Sequence, residues 1–232
     1  MLAEEVRRNV AAIEARIEAA CRRSGRARRE VTLVAVSKTF PAQAVDFAVA
    51  AGVEHIGENR VQELRDKIAS VRSKPTWHLI GHLQTNKAKD AVRLFDVIET
   101  VDSTDLASKL SRAAAAAGRT LRVLLQVNVA DEPQKSGATI AELPALAQGV
   151  SVLPSLELGG LMTIPPIVSE PEESRRWFRR LRDLRNSLPG DLRAMATDLS
   201  MGMSEDFEVA IEEGATMIRV GRAIFGARST AA

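Results

Sequence analysis

Eight short apolar stretches, separated by polar segments of helical character, constrain this chain more than any other feature. The strand candidates are 32–38, 54–57, 76–81, 97–101, 121–129, 156–163, 193–198 and 217–220. Between them the pattern predicts helices over 42–51, 60–72, 86–95, 104–117, 139–150, 170–188 and 204–213. Alternating strands and helices imply parallel strands joined by right-handed crossovers, and eight such strands match a (β/α)8 barrel. Upstream, Val6, Val10, Ile13 and Ile17 recur at helical spacing, which predicts an amphipathic first helix ending near Ser24-Gly25. The expected class is α/β: a single (β/α)8 TIM barrel with an extra N-terminal helix. An open, doubly wound sheet is the alternative. No G-x-G-x-x-G follows the first strand, which weighs against the nucleotide-binding form of that sheet. No linker-like stretch divides the chain, so residues 1–232 are expected to form one domain.

Barrels build their sites at the carboxyl ends of the strands. The first strand runs out at Ser37-Lys38, with Pro41 where a helix can begin. Alternation puts Lys38 on the face of Val34 and Val36, so in a barrel its amine points into the mouth. An amine held there suits condensation with an aldehyde. Only the neutral form attacks, and at the ordinary pKa of about 10.4 fewer than ~1 in 1,000 amines are neutral at pH 7. Burial and nearby cations lower that pKa. The bland alternative is a lysine that ends a strand and snorkels to water. At the other strand ends stand Gly57-Glu58-Asn59, Gly81-His82, Asp102-Ser103, Asn128, Met162-Thr163 and Asp198–Ser204. The eighth strand carries Arg219 in its interior, and a buried arginine requires a partner.

Two features suit an anion. Ser200-Met201-Gly202-Met203-Ser204 precedes a helix predicted to hold Glu205 and Asp206 in its first turn, although a serine there is also a plain N-cap. Gly221 leaves bare backbone after the eighth strand, where a ligand can come close. Loops after strands seven and eight are the usual phosphate site of such barrels. His55, His78 and His82 lack metal-ligand spacing and are expected to pack or hydrogen-bond, with His82 a candidate for lining the mouth; no metal is expected.

Charge and composition remove several function classes. The 32 basic and 30 acidic residues leave a net charge of +2, too small for a dedicated nucleic-acid binder. Arg22, Arg23, Arg26, Arg28 and Arg29 are expected to face solvent at the end of the first helix. The basic 170–188 segment has a Trp177, Leu181, Leu184, Leu188 stripe and i,i+4 pairs Arg179–Asp183 and Glu172–Arg176, as an outer barrel helix would. The lone cysteine, Cys21, excludes an internal disulfide framework and reads as a core residue. No stretch reads as a signal peptide or membrane span, so a cytoplasmic protein without nucleic-acid or membrane contacts is expected.

Several motifs together resemble one family. Trp77-His78-Leu79-Ile80-Gly81-His82-Leu83-Gln84-Thr85-Asn86-Lys87 looks like the signature of the pyridoxal 5′-phosphate homeostasis proteins, relatives of the amino-terminal barrel of alanine racemase. Val36-Ser37-Lys38, Gly57-Glu58-Asn59, Gly160-Leu161-Met162, Leu199–Ser204 and Arg219–Gly226 resemble further motifs of that family in the same order. The resemblance implies that Lys38 holds pyridoxal 5′-phosphate as a Schiff base. It implies that Ser200 and the Gly221-Arg222 turn contact the phosphate, that Arg219 faces the pyridine nitrogen, and that Asn59 lies near the ring. Many relatives carry Ser or Thr where this chain has Arg222, so backbone N–H groups or the guanidinium would replace a hydroxyl there. A guanidinium donor disfavours a protonated ring nitrogen and so weakens the electron sink.

Two functions remain. A racemase needs an acid/base on both faces of the substrate Cα; related racemases supply a tyrosine from a second domain, and this chain has no tyrosine. A carrier needs only to hold and release the cofactor, to pyridoxal-phosphate-dependent apo-enzymes among others. The expectation is a homeostatic carrier, a monomer with a dimer as the other possible state, and an amino-acid racemase is the alternative function.

Overall fold

A computed structural model describes residues 2–226. Its eight strands are β1 (Thr32–Val36), β2 (His55–Glu58), β3 (Thr76–Leu79), β4 (Val97–Val101), β5 (Leu121–Gln126), β6 (Leu156–Met162), β7 (Asp198–Ser200) and β8 (Met217–Val220). All neighbours pair in parallel, in chain order, and β8 pairs with β1 to close the barrel. The register matches Val34 with both His55 and Arg219, which levels the upper ends of β1, β2 and β8 around one mouth.

The helices are α1 (Ala3–Arg23), α2 (Ala42–Ala50), α3 (Val61–Lys67), α4 (Ala88–Leu94), α5 (Thr104–Ala116), α6 (Leu143–Ser151), α7 (Arg175–Ser187), α8 (Gly190–Met195), α9 (Phe207–Glu212) and α10 (Arg222–Phe225). Alternation along the strands separates two apolar layers. Leu33, Ala35, Ile56, Leu79 and Ile98 point outward to the helices, whereas Val97, Leu124, Met162 and Met217 fill the barrel itself. The last helix among the described residues, α10, has only four residues, and α1 packs against α2, α9 and α10. It thus covers the β8–β1 seam that a full last helix would otherwise protect. Val6, Val10, Ile13 and Ile17 are all buried there, each worth about 1.5–3 kcal/mol relative to exposure.

Three expectations need correction. Residues 193–198 do not form the seventh strand: Gly190–Met195 is helical with Leu192 buried, and β7 is the short run 198–200 that follows. The next helix starts at Phe207, so Ser204 is no N-cap and Glu205 and Asp206 precede the first turn. Instead the Asp206 carboxylate accepts from Met203 N at 2.8 Å and from Ser174 Oγ at 2.9 Å, which tightens the turn that the sequence assigned to helix. Finally, Arg179 and Glu172 pair differently from the predicted i,i+4 scheme. Arg175, Arg179 and Arg182 all reach Glu213 just past α9, and Arg175 also pairs with Glu172. A nearly buried carboxylate offers these guanidinium groups a better partner than exposed Asp183 does.

Candidate functional site

A cavity of about 1110 Å³ opens at the carboxyl ends of the strands. Lys38, Asn59, His82, Arg219, Gly221 and Arg222 all line it, together with Met203 and Ser204. Val36, the last residue of β1, also lines this cavity, so the alternation read from the sequence directs the Lys38 side chain as expected. Lys38 is half-buried in the turn that follows, and Thr39 bends the chain there with φ at 69°.

The turn carrying Lys38 rests on a buried polar cluster on the helix side of the barrel wall. Ser37 Oγ donates to Glu58 Oε1 at 2.5 Å, and Lys67 Nζ donates to the same oxygen at 2.6 Å and to Ser37 O at 3.0 Å. Glu63 accepts from Thr39 N and lies 3.6 Å from Lys67 Nζ. Burial pushes the Glu58 carboxyl above its ordinary value, against the opposing pull of Lys67. Strand alternation explains the arrangement: Gly57 faces Val34 and Ile80 inside the barrel, so Ser37 and Glu58 must face α3.

Asn59 is fixed by a close backbone approach. A Cβ on Gly81 would stand 2.2 Å from Asn59 O, so only glycine lets the β2–α3 and β3–α4 loops meet. On the far side of the mouth Gly202, at φ +92°, turns the chain after β7, and Ser204 Oγ accepts from Ala223 N at 3.4 Å. Arg222 is exposed and pairs with Glu205 at 3.2 Å. Among the described residues no group of three His, Cys, Asp or Glu side chains converges as a metal site would.

Ser200 does not join the others. It is fully buried beneath the mouth, and its hydroxyl accepts from Arg219 Nη1 at 2.5 Å while donating to Glu99 Oε2 at 2.5 Å. Arg219 Nη2 also donates to Thr163 O at 2.7 Å. This is the partner set that a buried arginine requires. Burial pulls the guanidinium below its ordinary pKa, and the charges of Glu99 and Asp206 oppose that pull. The sequence reading missed Glu99, although a carboxylate inside the apolar run Val97–Val101 was a signal that could have found it. Alternation from Val97 already points Glu99 into the barrel, and a register shift between Ile98 and Val101 returns Val101 to the outer layer. His82 is exposed at the rim, 3.7 Å from Asp102.

Known proteins share this chain's sequence and fold. The family described as alanine racemase, N-terminal domain, matches residues 9–229. The pyridoxal phosphate homeostasis protein of Pseudomonas aeruginosa is 45% identical over 221 residues, covering 95% of this chain and 94% of that protein. The protein of the same name from Escherichia coli K12 is 43% identical over 230 residues, 97% of each. The structure of PipY from Synechococcus elongatus with PLP bound superimposes with a TM-score of 0.82 at 39% identity, covering 95% of this chain and all (100%) of that one. D-threonine aldolase from Filomicrobium marinum shares the fold, with a TM-score of 0.76 at 18% identity over 98% of this chain and 63% of that enzyme. With whole-length relatives at this identity and a barrel of the same shape, the chain belongs to the pyridoxal phosphate homeostasis protein family.

Proposed function

We propose that this protein holds pyridoxal 5′-phosphate reversibly, for homeostasis and transfer of the cofactor inside the cell, with little turnover of amino acids. The observation that carries the reading is that Lys38, Asn59, Arg219, Gly221 and Arg222 line one cavity. Its chemistry suits the cofactor. An amine stands on one side for the aldehyde, cationic groups offset the anionic phosphate, and Gly221 keeps backbone rather than a side chain against Val36. When bound, the cofactor would supply an electrophilic aldehyde and an aromatic ring able to accept electron density.

In this reading Lys38 Nζ makes the covalent link, held in place because Glu63, Glu58 and Lys67 pin the turn beneath it. Arg219 donates to the ring nitrogen and, being always charged, leaves that nitrogen unprotonated. Ser204, Gly221 and Arg222 form the phosphate end; Ser200 acts through Arg219 instead of touching phosphate. No tyrosine lines the cavity, so nothing there matches the second acid/base that a racemase of this relationship uses. The names of the two whole-length relatives from Pseudomonas aeruginosa and Escherichia coli, both homeostasis proteins, support the carrier reading. Apo-enzymes that need the cofactor are the partners this reading implies.

Two measurements test it. Mixing the protein with pyridoxal phosphate should give a yellow band that borohydride fixes onto the peptide containing Lys38, and Lys38→Ala should lose both. Incubation of the loaded protein with L- and D-amino acids in deuterated water should leave the Cα hydrogens in place. Rapid exchange at Cα would sink the carrier reading in favour of a racemase.

A further inference from the structure

A line of buried side chains crosses the barrel beneath the mouth, and covalent capture of an aldehyde does not by itself call for it. From Arg219 on β8 the contacts run through Ser200 on β7 to Glu99 on β4, as described above. They continue: His78 Nδ1 on β3 lies 2.7 Å from Glu99 Oε1, and His78 Nε2 lies 3.0 Å from His55 Nδ1 on β2. Ser200, Glu99 and His78 are wholly buried, whereas His55 is half-exposed at the amino-terminal end of the barrel. The chain of contacts therefore joins the two ends of the barrel.

With Glu99 ionised and both imidazoles neutral, one set of protons fits it. A carboxylate accepts only, so the hydrogen sits on His78 Nδ1, Nε2 accepts, and His55 Nδ1 donates. Both branches then donate toward Glu99, one from the imidazoles and one from the guanidinium through Ser200. Burial would raise the Glu99 carboxyl, yet the hydrogen bond from His78, the charge of Arg219 and the hydrogen bond from Ser200 hold it below its ordinary value. Burial and His78 push His55 down, opposed by Glu54 and Glu99. At the upper end Asp206 also acts on Arg219, and Lys38 and Arg222 share its cavity. A further proton on the pair, held as a His78 imidazolium that donates through Nε2 to His55 Nδ1, would reverse the His55–His78 bond and draw the Glu99 charge toward that imidazolium. Arg219 would then face the mouth less compensated.

We propose that Glu99 and His78 are positioning residues for the ring-facing guanidinium, and that they link the protons of the His55–His78 pair to the way pyridoxal phosphate is held at Arg219. The inference rests on the reading of the mouth given above. Linkage makes it reciprocal: if the cofactor changes the pair's proton affinity, the pair's proton changes the hold on the cofactor equally.

The chain has three histidines, so their ring signals can be followed by nuclear magnetic resonance in the full-length protein. Adding pyridoxal phosphate should move the His55 and His78 signals, while inorganic phosphate alone should leave them in place. In Glu99→Gln and in Ser200→Ala the movement at His55 should collapse. In Glu99→Gln the yellow band should titrate about one pH unit lower, because a lost negative charge disfavours the cationic nitrogen at Lys38. Unmoved His55 and His78 signals in a wild-type protein that has turned yellow would overturn the link and leave the Lys38 reading standing. Equal movement with inorganic phosphate, or an unshifted titration in Glu99→Gln, would overturn it as well. A wild-type protein that never turns yellow would defeat both readings, and the wild-type signals decide the matter even if a variant fails to fold.

Discussion

Lys38 depends on residues that never touch the cavity. Lys67 and Glu58 sit behind it as a buried ion pair, and one carboxylate oxygen, Glu58 Oε2, has no hydrogen-bond partner among the described residues. Such a pair is only modestly stabilising as a whole but costly to break from one side. Lys67→Met should therefore lower unfolding free energy by about 3–5 kcal/mol in denaturant titration, and adding Glu58→Gln should restore part of the loss. The elevated Glu58 carboxyl makes the single variant less impaired at acid pH than at neutral pH, because protonation removes the stranded charge. Gly81 offers a second check at this scale. Gly81→Ala places a Cβ 2.2 Å from backbone, so the loops must separate; stability should fall by about 1–3 kcal/mol and the yellow complex should weaken as Asn59 shifts. Unchanged cofactor affinity in a folded Gly81→Ala protein would show that Asn59 does not contact the ring.

At the scale of elements, arginines bind the outer helices together. Arg23 reaches Glu212, Arg26 donates to the carbonyls of Ile211 and Ala215, and Arg28 pairs with Glu14 at 2.7 Å. The cluster expected to face solvent at the end of α1 thus latches α1 onto α9 through Arg23 and Arg26. From the other side α7 brings Arg175, Arg179 and Arg182 to Glu213, and Phe178, absent from the predicted stripe, is its most buried side chain beside Leu181. Burial tends to raise Glu212 and Glu213, but bonds from these arginines hold both below the usual carboxylate range. Stabilisation from such depressed groups is complete above the unfolded-chain pKa of about 4.3 and is lost as pH falls through the lower folded values. Glu213→Gln should flatten that acid limb in thermal melts and cost about 1–3 kcal/mol at neutral pH. A melt profile as steep below pH 4.3 as that of the parent would assign the acid loss to other carboxylates.

Across the whole molecule, the closed barrel turns a linear pattern into one mouth. Period-two alternation and the β–α rhythm carried the architecture, the N-terminal helix and the inward direction of Lys38, because these follow from local backbone geometry. They also flagged Arg219 as a residue in need of a partner. The chain alone could not name that partner: Glu99 and Ser200 are 101 residues apart in sequence and meet only across a closed barrel. Nor could it show that Ser200 turns inward while Ser204 reaches the mouth, or that the short β7 follows a helix. These depend on a left-handed glycine and the burial of Leu192, each decided by packing between distant segments. What the sequence determined was which face a residue takes within each regular strand it located, since that is fixed by neighbours one or two positions away. Which charges meet on that face was left to tertiary structure, because a buried ion finds its counter-ion in space and leaves no periodic trace along the chain.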